Sequence, residues 1–138
     1  MLKAGASTEW TCDFYRYITD GEVREAFALL VGSLACAEGV ICARRDQGKV
    51  RSVGIEVDGE FWFALMVARE WLTFQWRPPV TRRNRYRSAH LRSQFPDSFT
   101  DTAQADHWSI KITSLDDALR LLLILDINTP SSCGVIIE

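Results

Sequence analysis

The chain is poor in the residues that hold metals and move protons. Only two histidines, His90 and His107, and four cysteines occur among its 138 residues. Cys12, Cys36, Cys42 and Cys133 are scattered without a Cys-x-x-Cys pair, so a closed zinc site would need an unusual ligand set. Buried hydrophobes in a reducing compartment are the simpler role for these thiols, and nothing in the sequence demands a Cys36–Cys42 disulfide. No apolar run approaches the ~20 residues that a bilayer span requires. The opening Met1–Ser7 lacks the hydrophobic stretch of a secretory signal. A cytoplasmic protein with no membrane partner is the expectation.

Catalytic signatures are missing as well. The sequence holds no Gly-x-x-x-x-Gly-Lys-Ser/Thr, no Gly-x-Gly-x-x-Gly, no His-Glu-x-x-His and no Gly-x-Ser-x-Gly. Glu56, Asp58 and Glu60 surround a tight turn, where a solvated hairpin tip explains them better than a metal does. Cys133, in Ser131-Ser132-Cys133-Gly134, has no recognisable activating partner. His107 reads as a structural residue before a strand. These absences leave no catalytic residue, metal ligand or cofactor to assign; an enzyme, for which His90 in the basic window would be the base, is an unsupported further reading.

Lysine is the other scarce type: three lysines stand against thirteen arginines. Six of those arginines, Arg77, Arg82, Arg83, Arg85, Arg87 and Arg92, fall between Trp71 and Pro96 with no acidic residue among them. The window therefore carries +6, and the rest of the chain −8. Such an asymmetry attracts phosphates or carboxylates. Guanidinium groups fork onto both, and stack on flat rings. The run Thr81-Arg82-Arg83-Asn84-Arg85-Tyr86-Arg87-Ser88 adds an aromatic and small hydroxyls, and His90 follows closely.

The remaining pattern describes a fold. Apolar residues at 47% and charged residues at 25% match a globular chain. No repeat, low-complexity tract or linker appears, so residues 1–138 form one domain. The aromatic, roughly alternating Trp10–Ile18 predicts a short strand. Thr19 and Glu22 resemble a capping box for a helix over 20–37, whose stripe is Val23, Ala26, Phe27, Leu30, Val31 and Leu34, with Gly39 closing it. Val40–Arg44 reads as a strand before turn chemistry at Asp46–Lys49. Alternation over Val53–Val57 and over Phe61–Val67, joined by Asp58-Gly59, predicts a hairpin. A further strand carries Leu72, Phe74 and Trp76. This places Phe61, Phe63, Leu65 and Val67 on the core face, and Trp62, Met66 and Trp71 opposite.

Pro78-Pro79 stop that strand, and 78–106 reads as a long Arg-rich loop without regular structure. His107–Ile112 is another strand. Ser114 caps a final helix rich in leucine, which Asn128 and Pro130 end, and Val135–Ile137 form an edge strand or docked tail. The order β-α-β-β-β-β-α describes an α+β domain: an antiparallel sheet of four to five strands with two helices packed on one face.

The functional expectation rests on the charged loop together with an aromatic sheet face. Arg77, Arg82, Arg83, Arg85, Tyr86, Arg87, His90 and Arg92, with Trp62 and Trp71 on the sheet, are the candidate binding residues. The leading expectation is a small non-enzymatic interaction protein, inhibitor- or immunity-like, that engages an acidic macromolecule. The alternative is a nucleic-acid-binding accessory domain contacting phosphates through the same loop, with Tyr86 stacking on a base. Against that stands a pI of 5.7, well below the roughly 9 typical of dedicated nucleic-acid binders. A solvated loop with no partner is the third reading. If the chain forms a homodimer, the C-terminal helix or the sheet face is the expected contact.

Overall fold

The computed structural model describes residues 6–83, 85–101 and 107–127, and the first of them are helical where alternation suggested a strand. Helix α1 spans Thr8–Tyr17. Ser7 caps it by accepting from the Glu9 N–H at 3.3 Å. Trp10, Phe14 and Ile18 are buried and four residues apart, so the same aromatics fit a helical stripe. Trp10 and Phe14 rings pack at 5.5 Å between centroids.

Helix α2, Gly21–Ala35, buries the expected stripe from Val23 to Leu34. Its cap is Asp20 and not Thr19: Asp20 Oδ1 accepts from the N–H groups of Glu22 and Val23 at 3.0 and 3.1 Å. Thr19 instead donates its hydroxyl to the Arg69 carbonyl at 3.2 Å. The Glu22 carboxylate accepts from the Leu115 N–H at 3.0 Å, so it ties two helices together and closes no capping box.

The strands follow in order. β1 (Val40–Gln47) turns at Gly48-Lys49 into β2 (Val50–Val57), and Asp58-Gly59 leads to β3 (Glu60–Val67). Asp58 and Gly59 hold φ of +51° and +86°, the positive values that a two-residue hairpin demands. β4 is Leu72–Trp76, and helices α3 (Pro78–Thr81) and α4 (Ser88–Gln94) come next. Thus the expected structureless segment contains two short helices and the two-residue β5 (Thr100–Asp101). β6 (Trp108–Ile112) and α5 (Leu115–Leu125) complete the fold. Ser114 caps α5 as expected, accepting from the Asp117 N–H at 3.1 Å. The stop signals at Asn128 and Pro130, Cys133 and the Val135–Ile137 segment lie outside the described residues.

All strands pair antiparallel in the order β1-β2-β3-β4-β6-β5, six strands where four to five were expected. Cross-strand register sorts side chains by face. The rows Val53–Leu65–Phe74–Ile110 and Ile55–Phe63–Trp76 are buried beneath α2 and α5. The rows Ser52–Met66–Thr73–Lys111 and Gly54–Ala64–Gln75–Ser109 line the opposite face. There the small residues are buried between neighbours, while Met66, Thr73, Gln75 and Ser109 stay partly exposed.

One irregularity re-aims two aromatics. Glu56 opposes Phe61 but Ile55 opposes Phe63, so Trp62 is an extra residue in β3. Such a bulge shifts the alternation by one. Phe61 therefore joins the open face with Glu56, and Trp62 turns to the helix side, packing edge-on against Phe63 at 5.9 Å. This reverses the faces expected for both residues.

Candidate binding surface

Residues 77–83 and 85–94 form a folded shelf. Pro78 and Pro79 occupy the first positions of α3, where a missing N–H costs nothing. Val80, Tyr86 and Leu91 are buried and fasten the shelf to the core. Tyr86 sits with ring centroids 6.1 Å from Phe63 and 6.4 Å from Trp76. Its hydroxyl donates to the Leu125 carbonyl at 2.6 Å. Burial raises the phenol's pKa above its ordinary range, with Arg85 opposing. The ring is therefore spoken for by the core and is not presented to a base.

Each cation has a definite place. The Arg77 guanidinium lies over the Phe61 ring at 3.8 Å and donates to the Phe61 carbonyl at 3.2 Å. Arg45 approaches the same ring at 4.5 Å. Desolvation first, and Arg45 second, lower the Arg77 pKa. Arg83 forks onto Glu60, Nη1 to Oε1 at 2.8 Å and Nη2 to Oε2 at 2.9 Å. The Arg83 bond, helped by one from the Trp62 indole at 3.1 Å, holds the Glu60 carboxyl below the usual carboxylate range. Both side chains remain about half exposed, 49% and 45%, so this pair positions more than it stabilises.

Arg85 caps a helix. Its Nη2 donates to the Asp126 carbonyl at 3.1 Å, and its Nε to the Tyr86 hydroxyl at 3.1 Å. The last carbonyls of α5 have no partner within the helix, and a cation there also suits the dipole. Arg82, Arg87, His90 and Arg92 are exposed, Arg92 lying 4.9 Å over the Phe99 ring.

Between α4 and the end of α5 these residues frame a groove of about 220 Å³, lined by Arg85, Tyr86, Arg87, His90, Leu91 and Ile124. Among the described residues no carboxylate lines it. Four of the sequence-derived candidates thus meet at one place, and Arg92 lies on the same helix. Trp62 is nearly buried beneath Arg83 and Arg85, whose guanidinium carbons lie 5.8 and 5.5 Å from its ring. Trp71 is 40% exposed on the open sheet face, under Lys111 at 4.5 Å. The two tryptophans sit at opposite ends of β3, so they do not form one aromatic patch with the shelf.

Sequence reading missed Arg45, Phe61 and Glu60. The first lies outside the charged window, and the bulge that exposes Phe61 leaves no pattern of its own. A second groove, about 420 Å³ and apolar, runs between α1 and α2 beside Cys12, Tyr15 and Phe27, but no convergent polar groups enter it. Cys12 and Cys36 are exposed free thiols and Cys42 is buried, its pKa pushed up to about 12 by desolvation. Among the described residues no group of three His, Cys, Asp or Glu side chains suits a metal ion, and no helix is long and apolar enough to cross a membrane. No family model, curated protein or solved structure matches the chain.

Proposed function

We propose that this chain is a non-enzymatic binding protein, inhibitor- or immunity-like in mode, that docks an acidic protein surface on the α3–α4 shelf. The observation that carries the reading is the shelf's anchoring. Val80, Tyr86 and Leu91 fix it to the core, so Arg87, His90 and Arg92 are held out on a rigid element and little ordering entropy opposes binding. The groove beside them is below the 300–1,000 Å³ of small-molecule sites and is of a size for a single side chain, an Asp or Glu of a partner meeting Arg87 and His90. Exposed free thiols at Cys12 and Cys36 suit a reducing compartment, which supports a cytoplasmic setting.

Burial of Tyr86 supports a protein partner over nucleic acid. Sequence-tolerant strand binding draws roughly 1–3 kcal/mol per base from stacking on exposed aromatics, and the one aromatic inside the arginine run faces the core. Titrating a labelled poly-glutamate peptide and a random single-stranded oligonucleotide of equal charge separates the two. Tighter binding of the peptide at equal salt is expected. Preference for the oligonucleotide, with a log–log salt slope of several units, transfers the site to nucleic acid.

A further inference from the structure

Two arginines outside the shelf share one aromatic ring. The guanidinium carbons of Arg51 and Arg69 lie 3.7 and 4.5 Å from the centroid of the Tyr17 ring, so two like charges are drawn together over a single side chain. Three elements hold them there. Tyr17 is the last residue of α1 and packs against the core. Arg51 lies within β2, between Asp46 of β1 and Val67 of β3. Arg69 follows β3, and its carbonyl accepts from the Thr19 N–H at 2.8 Å, the Asp20 N–H at 3.3 Å and the Thr19 hydroxyl at 3.2 Å. The backbone beneath each cation is thus fixed, and their proximity is built into the fold.

A ring takes up the flat face of a guanidinium and leaves the in-plane N–H donors free at its edge. Among the described residues no carboxylate or carbonyl accepts from the Arg51 or Arg69 side chain. Asp46 and Glu70, the carboxylates adjoining in register and in sequence, are exposed and pair with neither. Asp20 is occupied, its Oδ1 taken by two N–H groups of α2. Like charges held together without a counter-charge in contact repel until an anion bridges them. One fork satisfies the two oxygens of a carboxylate, whereas a phosphate offers three acceptor oxygens and a second charge to two forks.

We infer that Arg51 and Arg69, braced by Tyr17, bind a phosphate dianion, either free or as a monoester. This site and the shelf lie at opposite ends of β4, Arg69 preceding its start and Arg77 following its end. It is a second anion site of different selectivity, and it stands or falls apart from the docking reading.

The test is NMR titration of the full chain, followed through arginine Nε–H resonances, with inorganic phosphate, phenyl phosphate and acetate at constant ionic strength. Saturable shifts of Arg51 and Arg69 are expected with both phosphates and not with acetate. Tighter binding of phenyl phosphate marks a monoester as the ligand, and equal binding marks inorganic phosphate. Arg51→Gln and Arg69→Gln are each expected to weaken phosphate about tenfold or more, while Arg44→Gln leaves it unchanged. If Arg51→Gln lowers the thermal midpoint, Arg69→Gln, in the exposed connection to β4, decides alone. Poly-glutamate affinity is expected to stay unchanged in Arg69→Gln, which separates failure of this site from failure of the shelf. Shifts that do not saturate, an equal response to acetate, or an equal loss in Arg44→Gln mean general attraction and overturn the inference.

Discussion

The Tyr86 hydroxyl meets two needs at once, giving its proton to the Leu125 carbonyl and accepting from Arg85 Nε. Removing it leaves a helix-terminal carbonyl and a guanidinium short of a partner. Tyr86→Phe is therefore expected to lose about 1–2 kcal/mol in urea unfolding, with the shelf intact. An unchanged midpoint would mean that solvent replaces the bond freely. Cys42 gives a second prediction at this scale. Its thiol ionises near 9.0 when exposed, but only at about 12 in the fold. Between those values the unfolded chain releases a proton that the folded chain retains, so stability is complete below pH 9 and falls as pH rises towards 12. Cys42→Ala should flatten that part of the alkaline decline, measured as urea midpoints across the window. An identical decline in the variant would assign it elsewhere.

At the scale of elements, helix termini and turns decide where the chain changes direction. Asp20 holds two N–H groups of α2, whereas Thr19 reaches across to Arg69. Asp20→Ala is expected to cost about 1 kcal/mol and Thr19→Ala distinctly less. The reverse order by chemical denaturation would restore Thr19 as the cap. How much was legible in the sequence follows the same logic. α2, α5 and the Asp58-Gly59 hairpin were readable because capping residues, periodicity and positive-φ chemistry agree there. α1 was misread because Trp10, Cys12 and Phe14 satisfy an alternating pattern as well as a fourfold one, and only burial distinguishes them. The Trp62 bulge was invisible, since an extra residue in a strand has no signature beyond the register it breaks. Gly54 was a faint hint: a Cβ there would stand 3.1 Å from the Arg45 stem and 3.4 Å from the Phe61 ring. α3 and α4 escaped because each is too short to show a period.

On the scale of the whole molecule, charge and topology cooperate. A sheet with its helices on one face leaves the shelf as a basic margin of an otherwise acidic body, with a net charge of −2. The charged window was legible from composition; which of its arginines are engaged was not. Arg83 answers to Glu60, Arg85 to a helix end and Arg77 to Phe61, contacts set by partners distant in sequence. Arg87, His90 and Arg92 face outward, a smaller surface than six clustered cations suggest.

Charge reversal on that outward set is the most direct test of the account. Affinity for the poly-glutamate peptide should be measured for the native chain, for Arg87→Glu/Arg92→Glu, and for Arg44→Glu/Arg51→Glu, a pair on β1 and β2 outside the shelf. The account predicts at least a tenfold loss for the shelf pair alone, about 1.4 kcal/mol, with its thermal midpoint unchanged. Equal losses for both pairs would show attraction by overall charge and contradict a docking shelf on α3 and α4.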